Sequence, residues 1–414
     1  MYFGDTALAY NDDAMEPKVR KPRVNLTEVS ISDKTGTREL AEVSLTRFVG
    51  YFFRLGTFGF GGPIALAGHM QQDLVDDRRW ISKQDYVEGL ALAQLAPGPL
   101  AAQLAIYLGY VRNGILGATA VAVAFVLPSF LMVLALSVAY VRYGGLSWMQ
   151  AMFYGIGASV IAIIARSAYK LTKLTLGKDK LLWGIFVVLA VTTAWTSREI
   201  VWLFLVAGVV ALLIKAMPTR AQVETIRPSV GLFTLPTLSG GTGLLGIFLY
   251  FAKAGMFVFG SGLAVVPFLF GGVVQEHHWL TDRQFVDAVA VAMITPGPVV
   301  ITVAFIGYLV AGISGATAAA VGIFFPVYLV VVLLAPSYKR WAKNPQLNAF
   351  VRGVTAAATG AIAGAVIVLA RRSIYDVATL MIAVITFGIL FRWKVPDPIL
   401  IACAAVAGLL LHRA

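Results

Sequence analysis

Gly56-Thr57-Phe58-Gly59-Phe60-Gly61-Gly62 returns 199 residues later as Gly255-Met256-Phe257-Val258-Phe259-Gly260-Ser261. The same offset joins Trp80 to Trp279 and Pro97-Gly98-Pro99 to Pro296-Gly297-Pro298. One deletion later it becomes 198, matching Gly109-Tyr110 to Gly307-Tyr308, Gly117-Ala118-Thr119-Ala120 to Gly315-Ala316-Thr317-Ala318, and Pro128 to Pro326. Shared apolar composition does not hold Trp, Pro-Gly-Pro and Gly-Ala-Thr-Ala in register over about 75 residues. The chain is an internal duplication, a habit of secondary transporters.

Around these motifs the composition settles the class. Of 414 residues, 59% are hydrophobic and 13% charged, against about 45–50% and about 25% in soluble proteins. About twelve apolar segments follow one another: 45–68, 85–111, 115–141, 146–169, 181–197, 199–217, 243–272, 285–311, 313–335, 347–370, 374–391 and 397–412. Each approaches the length needed to cross a bilayer core of about 30 Å as a helix, and open strands would leave backbone groups unpaired in lipid. The expected fold is an all-α polytopic membrane protein with about 12 transmembrane segments. Its parts are a polar cytoplasmic tail at 1–44, a first repeat at 45–217, a linker at 218–242 and a second repeat at 243–414.

The net charge of +12 belongs to loops that stay cytoplasmic. No basic, aromatic-interleaved module suggests nucleic acid. Cys403, the single cysteine, excludes disulfides and cysteine metal sites. The tail lacks the apolar run of a cleaved signal peptide.

Three constellations could carry chemistry. Arg54 and Lys253 are equivalent at offset 199, each about ten residues into its segment, about 15 Å deep at 1.5 Å per residue. A charge there costs about 2.5–3.5 kcal/mol on insertion scales. One reading has each cation snorkel or pair with a carboxylate; the other has both face a polar cavity and hold an anion. The second constellation is Pro97-Gly98-Pro99 with Pro296-Gly297-Pro298. Proline lacks an amide hydrogen and pushes the residue before it out of the helical region. A helix therefore breaks near the middle of its segment, and Pro99 or Pro298 starts a new half-helix. The free amides and positive dipole end of such a start suit an oxyanion; an ordinary proline kink is the plain alternative. The third is Gly59-Phe60-Gly61-Gly62-Pro63 with Gly260-Ser261-Gly262, which fits either tight helix packing or unwound backbone near a ligand.

Glu88 and Asp287, also equivalent, are candidates for a coupling proton, although their place about three residues into their segments equally suits an interfacial or salt-bridging role. Gln94, Gln103 and Thr302 are weaker candidates for a cavity lining. Other patterns are set aside. Gly241-Thr242-Gly243-Leu244-Leu245-Gly246 follows no strand, and His277-His278 lacks a third metal ligand. Gly360 and Gly364 read as a packing face. No nucleophile stands with a base, so no enzyme, cofactor or metal is expected.

Phe53-Arg54-Leu55-Gly56 running into Phe60-Gly61-Gly62-Pro63, then Arg79-Trp80-Ile81-Ser82 and Gln94-Leu95-Ala96-Pro97-Gly98-Pro99, resemble the chromate ion transporter family in its long, two-domain form. Lys253-Ala254-Gly255 and Thr295-Pro296-Gly297-Pro298 carry the resemblance into the second half, so it covers nearly everything beyond residue 44. It implies export of chromate across the bacterial inner membrane, chromate resistance, sulfate as a competing or native relative, and halves of opposite orientation. The second half departs from the pattern with Lys253 for Arg54, Ser261 for Gly62 and no counterpart of Pro63. Arg grips an oxyanion with two prongs where Lys is a point charge, so Arg54 is expected to dominate.

Those motifs and the paired cations describe an alternating-access carrier for a tetrahedral dianion. Its expected partners are the bilayer and the anion; a homodimer is left open. A carrier for another oxyanion, an anion channel and a membrane scaffold are the rival readings. Orientation is harder to read. Six apolar segments separate equivalent points, and six simple crossings would make the halves parallel. Inversion needs one segment to turn back at its break, or one long segment such as 243–272 to be counted differently. Counts of Lys and Arg on the two sides nearly balance once the tail is left out, so they do not decide.

Overall fold

The computed structural model describes residues 41–60, 62–144, 146–196, 201–216, 243–256, 259–260, 265–337, 344–393 and 395–411. Most of the expected tail, the linker at 218–242, Gly61 and Ser261-Gly262 lie outside them.

The first half opens with two helical hairpins. Ser44 caps α1 (Leu45–Phe58) by accepting from the Arg47 amide. After a break at Gly59-Phe60 the chain returns through α2 (Gly62–Met70) and a π-helical turn, Gln71–Asp77. The return is complete, because the Ala41 amide donates to the Arg79 carbonyl at 3.0 Å and the Trp80 ring packs 6.3 Å from that of Phe48. Ser82 caps α3 (Lys83–Leu95) through the Asp85 amide. The chain then breaks at Pro97-Gly98-Pro99 and returns along the first limb of α4 (Leu100–Tyr143). Gly89 of α3 faces the Tyr107 ring so closely that a Cβ there would lie 2.4 Å from it. Arg112 donates to the Val43 carbonyl at 2.9 Å, which brings this limb back to the start of α1.

Asn113 (φ −149°, ψ 37°) and Gly114 (φ 56°, ψ −145°) then reverse α4. Residues eight apart in a continuous helix are about 12 Å apart, yet a Cβ on Gly109 would meet the Gly117 carbonyl at 2.6 Å. The second limb, 115–143, continues into α5 (Ser147–Leu176), α6 (Lys180–Thr196) and α7 (Val201–Lys215).

The second half takes the same course through α8 (Leu244–Met256), α9 (Val265–Phe270), a π turn at Gly271–Glu276 and α10 (Asp282–Ile294). It continues through a 3-10 turn at Val299–Ile301, α11 (Thr302–Leu334), α12 (Pro345–Ser373), α13 (Val377–Arg392) and α14 (Asp397–Leu411). The local devices repeat as well. Thr281 closes a capping box with Gln284 at the start of α10. Ala311 (φ −147°) and Gly312 (φ 63°) reverse α11. Trp279 packs 5.3 Å from the Tyr250 ring.

Close approach of backbones joins these pieces. A Cβ on Gly56 would lie 2.3 Å from the Phe125 carbonyl, and one on Gly255 would lie 2.4 Å from that of Ile323. These glycines seat α1 on α4 and α8 on α11. Gly360 and Gly364 meet the carbonyls of Phe186 and Ala190 in the same way, so the packing reading of that pair is correct. Backbone contact of this kind is how helices associate where lipid supplies no hydrophobic driving force.

The segment reading changes in four places. Residues 45–68, 85–111, 243–272 and 285–311 are apolar throughout but are helix pairs that fold back, not single rods. The breaks at Gly and Pro were legible; a return was an option for one segment, and four segments make it. Among the described residues, four helices are long and apolar enough to cross a membrane: α4, α5, the Val299–Leu334 stretch and α12, with α6, α7, α8, α13 and α14 as shorter apolar helices. Val123, Leu131, Val188, Leu333 and Leu410 are exposed on the outside of the bundle, as lipid-facing positions require.

Candidate functional site at the crossed hairpin tips

The four hairpin tips pair in twos, each with a tip of the other half. Gly98-Pro99 (β1) runs parallel to Phe259-Gly260 (β2), with Gly98 opposite Phe259 and Pro99 opposite Gly260. On the symmetric side, the Gly297 amide donates to the Gly59 carbonyl at 2.9 Å. Each Pro-Gly-Pro break thus finds partners for its backbone in the glycine-rich break of the opposite repeat. Extended backbone inside an apolar bundle is tolerated where protein satisfies it in this way.

Glycine is required at both centres. Gly98 has φ 142° and Gly297 has φ 98°, conformations that side chains with a Cβ rarely adopt. A Cβ on Gly98 would lie 2.6 Å from Gln103 Nε2, and one on Gly297 would lie 2.0 Å from Ser129 Oγ. Gln103 is fully buried and its Nε2 donates to the carbonyls of Ala96 (3.2 Å) and Pro97 (2.7 Å), tying the first tip to its own helix. Its Oε1 is buried without a donor. Ser129, also fully buried, donates to the Gly56 carbonyl at 3.2 Å. Sequence reading passed over Ser129. Its signal is a lone hydroxyl after Pro128 where the second half has Val327 after Pro326.

The half-helices begin where Pro-Gly-Pro predicts. Pro99 is the N-cap residue of α4, and Pro298 that of the 3-10 turn leading into α11; neither start has a side-chain cap. Their first amides therefore point toward the crossed tips with the positive end of the helix dipole. Arg54 and Lys253 stand five and seven residues before Gly59 and Gly260 in the chain. Both are exposed on the faces of α1 and α8 turned away from the buried stripes. Neither has a carboxylate partner among the described residues.

The other candidates separate. Gln94 is exposed in the last turn of α3, next to the Pro97 break. Thr302 is buried and donates to the Val299 carbonyl at 2.8 Å, a local cap. Glu88 is half-buried, accepting from Gln84 at 3.0 Å and from Tyr107 at 3.4 Å. Asp287 is buried and accepts from Tyr140 at 2.8 Å. Both carboxylates lie near the bases of their hairpins, away from the tips. His277 stacks on Trp279 at 4.7 Å, and His278 Nδ1 lies 2.9 Å from the Val274 carbonyl.

With this arrangement in view, comparison with known proteins is decisive. The chromate transporter family model matches residues 46–212 and again residues 245–409. The chain belongs to the chromate transporter family. The chromate transport protein of Cupriavidus metallidurans is 60% identical over 376 residues, 89% of this chain and 94% of that protein. The probable chromate transport protein of Synechococcus elongatus is 55% identical over 377 residues, 89% and 95% of the two chains. The chromate transport protein of Pseudomonas aeruginosa is 32% identical over 382 residues, 87% and 91%. No solved structure matches. The family is one of transporters rather than enzymes, and the double match fits two repeats.

Proposed function

We propose that this chromate transporter family member exports chromate across the bacterial plasma membrane, giving chromate resistance, by alternating access at the crossed tips. The observation that carries the reading is the pairing of each Pro-Gly-Pro with the opposite glycine-rich break, with one cation five to seven residues before each glycine-rich break in the chain. Arg54, Lys253 and the starts of α4 and α11 replace the hydration shell of the dianion. Gly61, Gly62, Gly260 and the residues of both Pro-Gly-Pro breaks form the backbone around it, and Gln94 lines the approach.

The halves are inverted in this reading, and contacts between them support it. Thr119, near the start of the second limb of α4, lies 2.7 Å from the hydroxyl of Tyr328, near the far end of α11, a contact that antiparallel limbs would make. Arg283, at the base of a second-half hairpin, donates to the Gln150 carbonyl at the start of α5, at the opposite end of the bundle from the first-half bases. The four folded-back hairpins also change the charge count. Arg78, Arg79, Lys83, Arg112, Lys178 and Lys180 lie in or beside the turns of one end, with Lys173, Lys215 and Arg392 in last helical turns there. Among the described residues the other end has Arg142, Arg283, Arg371 and Arg372. The positive-inside rule then makes the first end cytoplasmic. Hairpins carrying Arg54 enter from the cytoplasm and those carrying Lys253 from outside.

Export of a dianion from a negative-inside cell is favoured by about 2.3 kcal/mol per charge per 100 mV. The test is uptake of labelled chromate into everted vesicles containing the overexpressed protein, with sulfate as competitor. Saturable uptake with counter-flow supports the carrier. Sulfate displacing chromate at equal concentration would shift the reading to a general oxyanion carrier, and non-saturating flux to a channel. No uptake above control vesicles overturns it.

A further inference from the structure

Asp287 is 3% exposed. Among the described residues it has no ion-pair partner, and its contact is a hydrogen bond from the Tyr140 hydroxyl at 2.8 Å. The two residues belong to different halves. Tyr140 sits in the last turn of α4, held edge-on by Phe153 at 5.3 Å and Phe305 at 5.1 Å. A cavity of about 160 Å³ adjoins the pair, lined also by Gly144, Met149, Gln150 and Arg283. The groups that act on the carboxyl are few. Tyr140 faces it from α4 and Arg283 stands one turn earlier on α10, its guanidinium donating to the Gln150 carbonyl. From α5 and α11 come Phe153 and Phe305, neither of which titrates.

A buried carboxylate with one hydroxyl donor and no cation in contact is stable only if it can become neutral. A cavity of this size holds several waters, which supply the route. We propose that Asp287 is a proton-binding site of the carrier. In the outward-open state a proton passes from water in the cavity to the Asp287 carboxylate. The charge-assisted bond from Tyr140 then becomes a weaker neutral one, loosening a contact that joins the halves. As access alternates, the carboxylic acid returns the proton to cytoplasmic water while chromate leaves. Glu88, the equivalent residue, does not take this role: it is half-buried and already shared between Gln84 and Tyr107.

This inference rests on the transport reading above, and the experiment separates the two. Purified full-length protein is placed in liposomes with a pH-sensitive dye inside and the voltage clamped by a potassium gradient. In the wild type, protons move opposite to labelled chromate. Asp287→Asn still passes chromate down the voltage, but its coupled proton movement falls at least tenfold and a pH gradient alone no longer drives chromate. Asp287→Glu keeps coupling. Tyr140→Phe keeps it too, with the flux midpoint displaced to higher pH, because the carboxylate loses the donor that stabilises its charged form. Should Asp287→Asn fail to fold, wild-type proton movement and the Tyr140→Phe displacement decide. Robust chromate flux without proton movement in the wild type overturns the proton site and leaves the transport reading standing, as does undiminished coupling in Asp287→Asn. No chromate flux at all overturns both.

Discussion

The Gly297 amide donates to the Gly59 carbonyl across the two halves at 2.9 Å. The residues lie 238 positions apart, and Gly98 opposite Phe259 repeats the pairing about the pseudo-symmetry of the duplication. A backbone bond at the meeting point of four helix ends ties the conformation of one repeat to that of the other. Substitutions at the tips are therefore expected to act on transport before they act on folding.

Arg54→Gln is expected to reduce chromate transport at least a hundredfold, and Arg54→Lys to keep about a tenth of it, since charge is necessary and the two-pronged geometry helps. Lys253→Gln should be less severe, and Lys253→Arg close to wild type. Both cations are exposed and have no carboxylate partner among the described residues, so folded yield should not change. Vesicle uptake normalised to protein amount measures this, and normal flux in Arg54→Gln would remove the cation from the site.

Gly297→Ala forces a Cβ into the space of Ser129 Oγ at φ 98°. Left-handed backbone alone costs a residue with a Cβ about 1–2 kcal/mol. Transport is expected to fall more than tenfold while yield from the membrane falls less than twofold. Gly98→Ala should behave alike, because Gln103 must move. Full activity in both variants would reduce Pro-Gly-Pro to a structural kink.

Ser129→Val, which copies Val327 into the first half, removes the donor to the Gly56 carbonyl. A buried hydrogen bond is worth about 1 kcal/mol, and thermal unfolding in detergent should begin a few degrees lower. Ser129→Ala combined with Gly297→Ala should be less than additive, since the Oγ that the new Cβ would meet at 2.0 Å is gone; a double-mutant cycle on transport reads the coupling.

Asp77 and Glu276 are equivalent at offset 199 and exposed at the ends of the two π turns. With Cys403 replaced by Ser, single cysteines at these positions are probed in intact cells with an impermeant thiol reagent. Inverted halves predict labelling of Glu276→Cys and none of Asp77→Cys. Labelling of both from outside would make the repeats parallel and return the tips to one side of the membrane.

The duplication, the membrane class, the helix breaks and the cation pair were all legible in the residues themselves. Each follows from local chemistry: the chain's apolar fraction, the missing amide of Pro97 and Pro296, and a charge ten residues into an apolar run. Tertiary structure alone decided what happens after each break. Residues 85–111 are compatible with one kinked rod or with two helices folded back, because both bury the same apolar surface and satisfy the same intrahelical bonds. The difference lies in long-range contacts, Gly89 on the Tyr107 ring and Arg112 on the Val43 carbonyl. The reversals at Asn113-Gly114 and Ala311-Gly312 fall where the apolar segments divide, at 111/115 and 311/313, so the places were marked; the contact of the two limbs, Gly109 on Gly117 and Gly307 on Gly315, was not. The partners of the broken backbone, Gly59 for Gly297 and Phe259 for Gly98, come from the opposite half of the chain, where no local rule reaches.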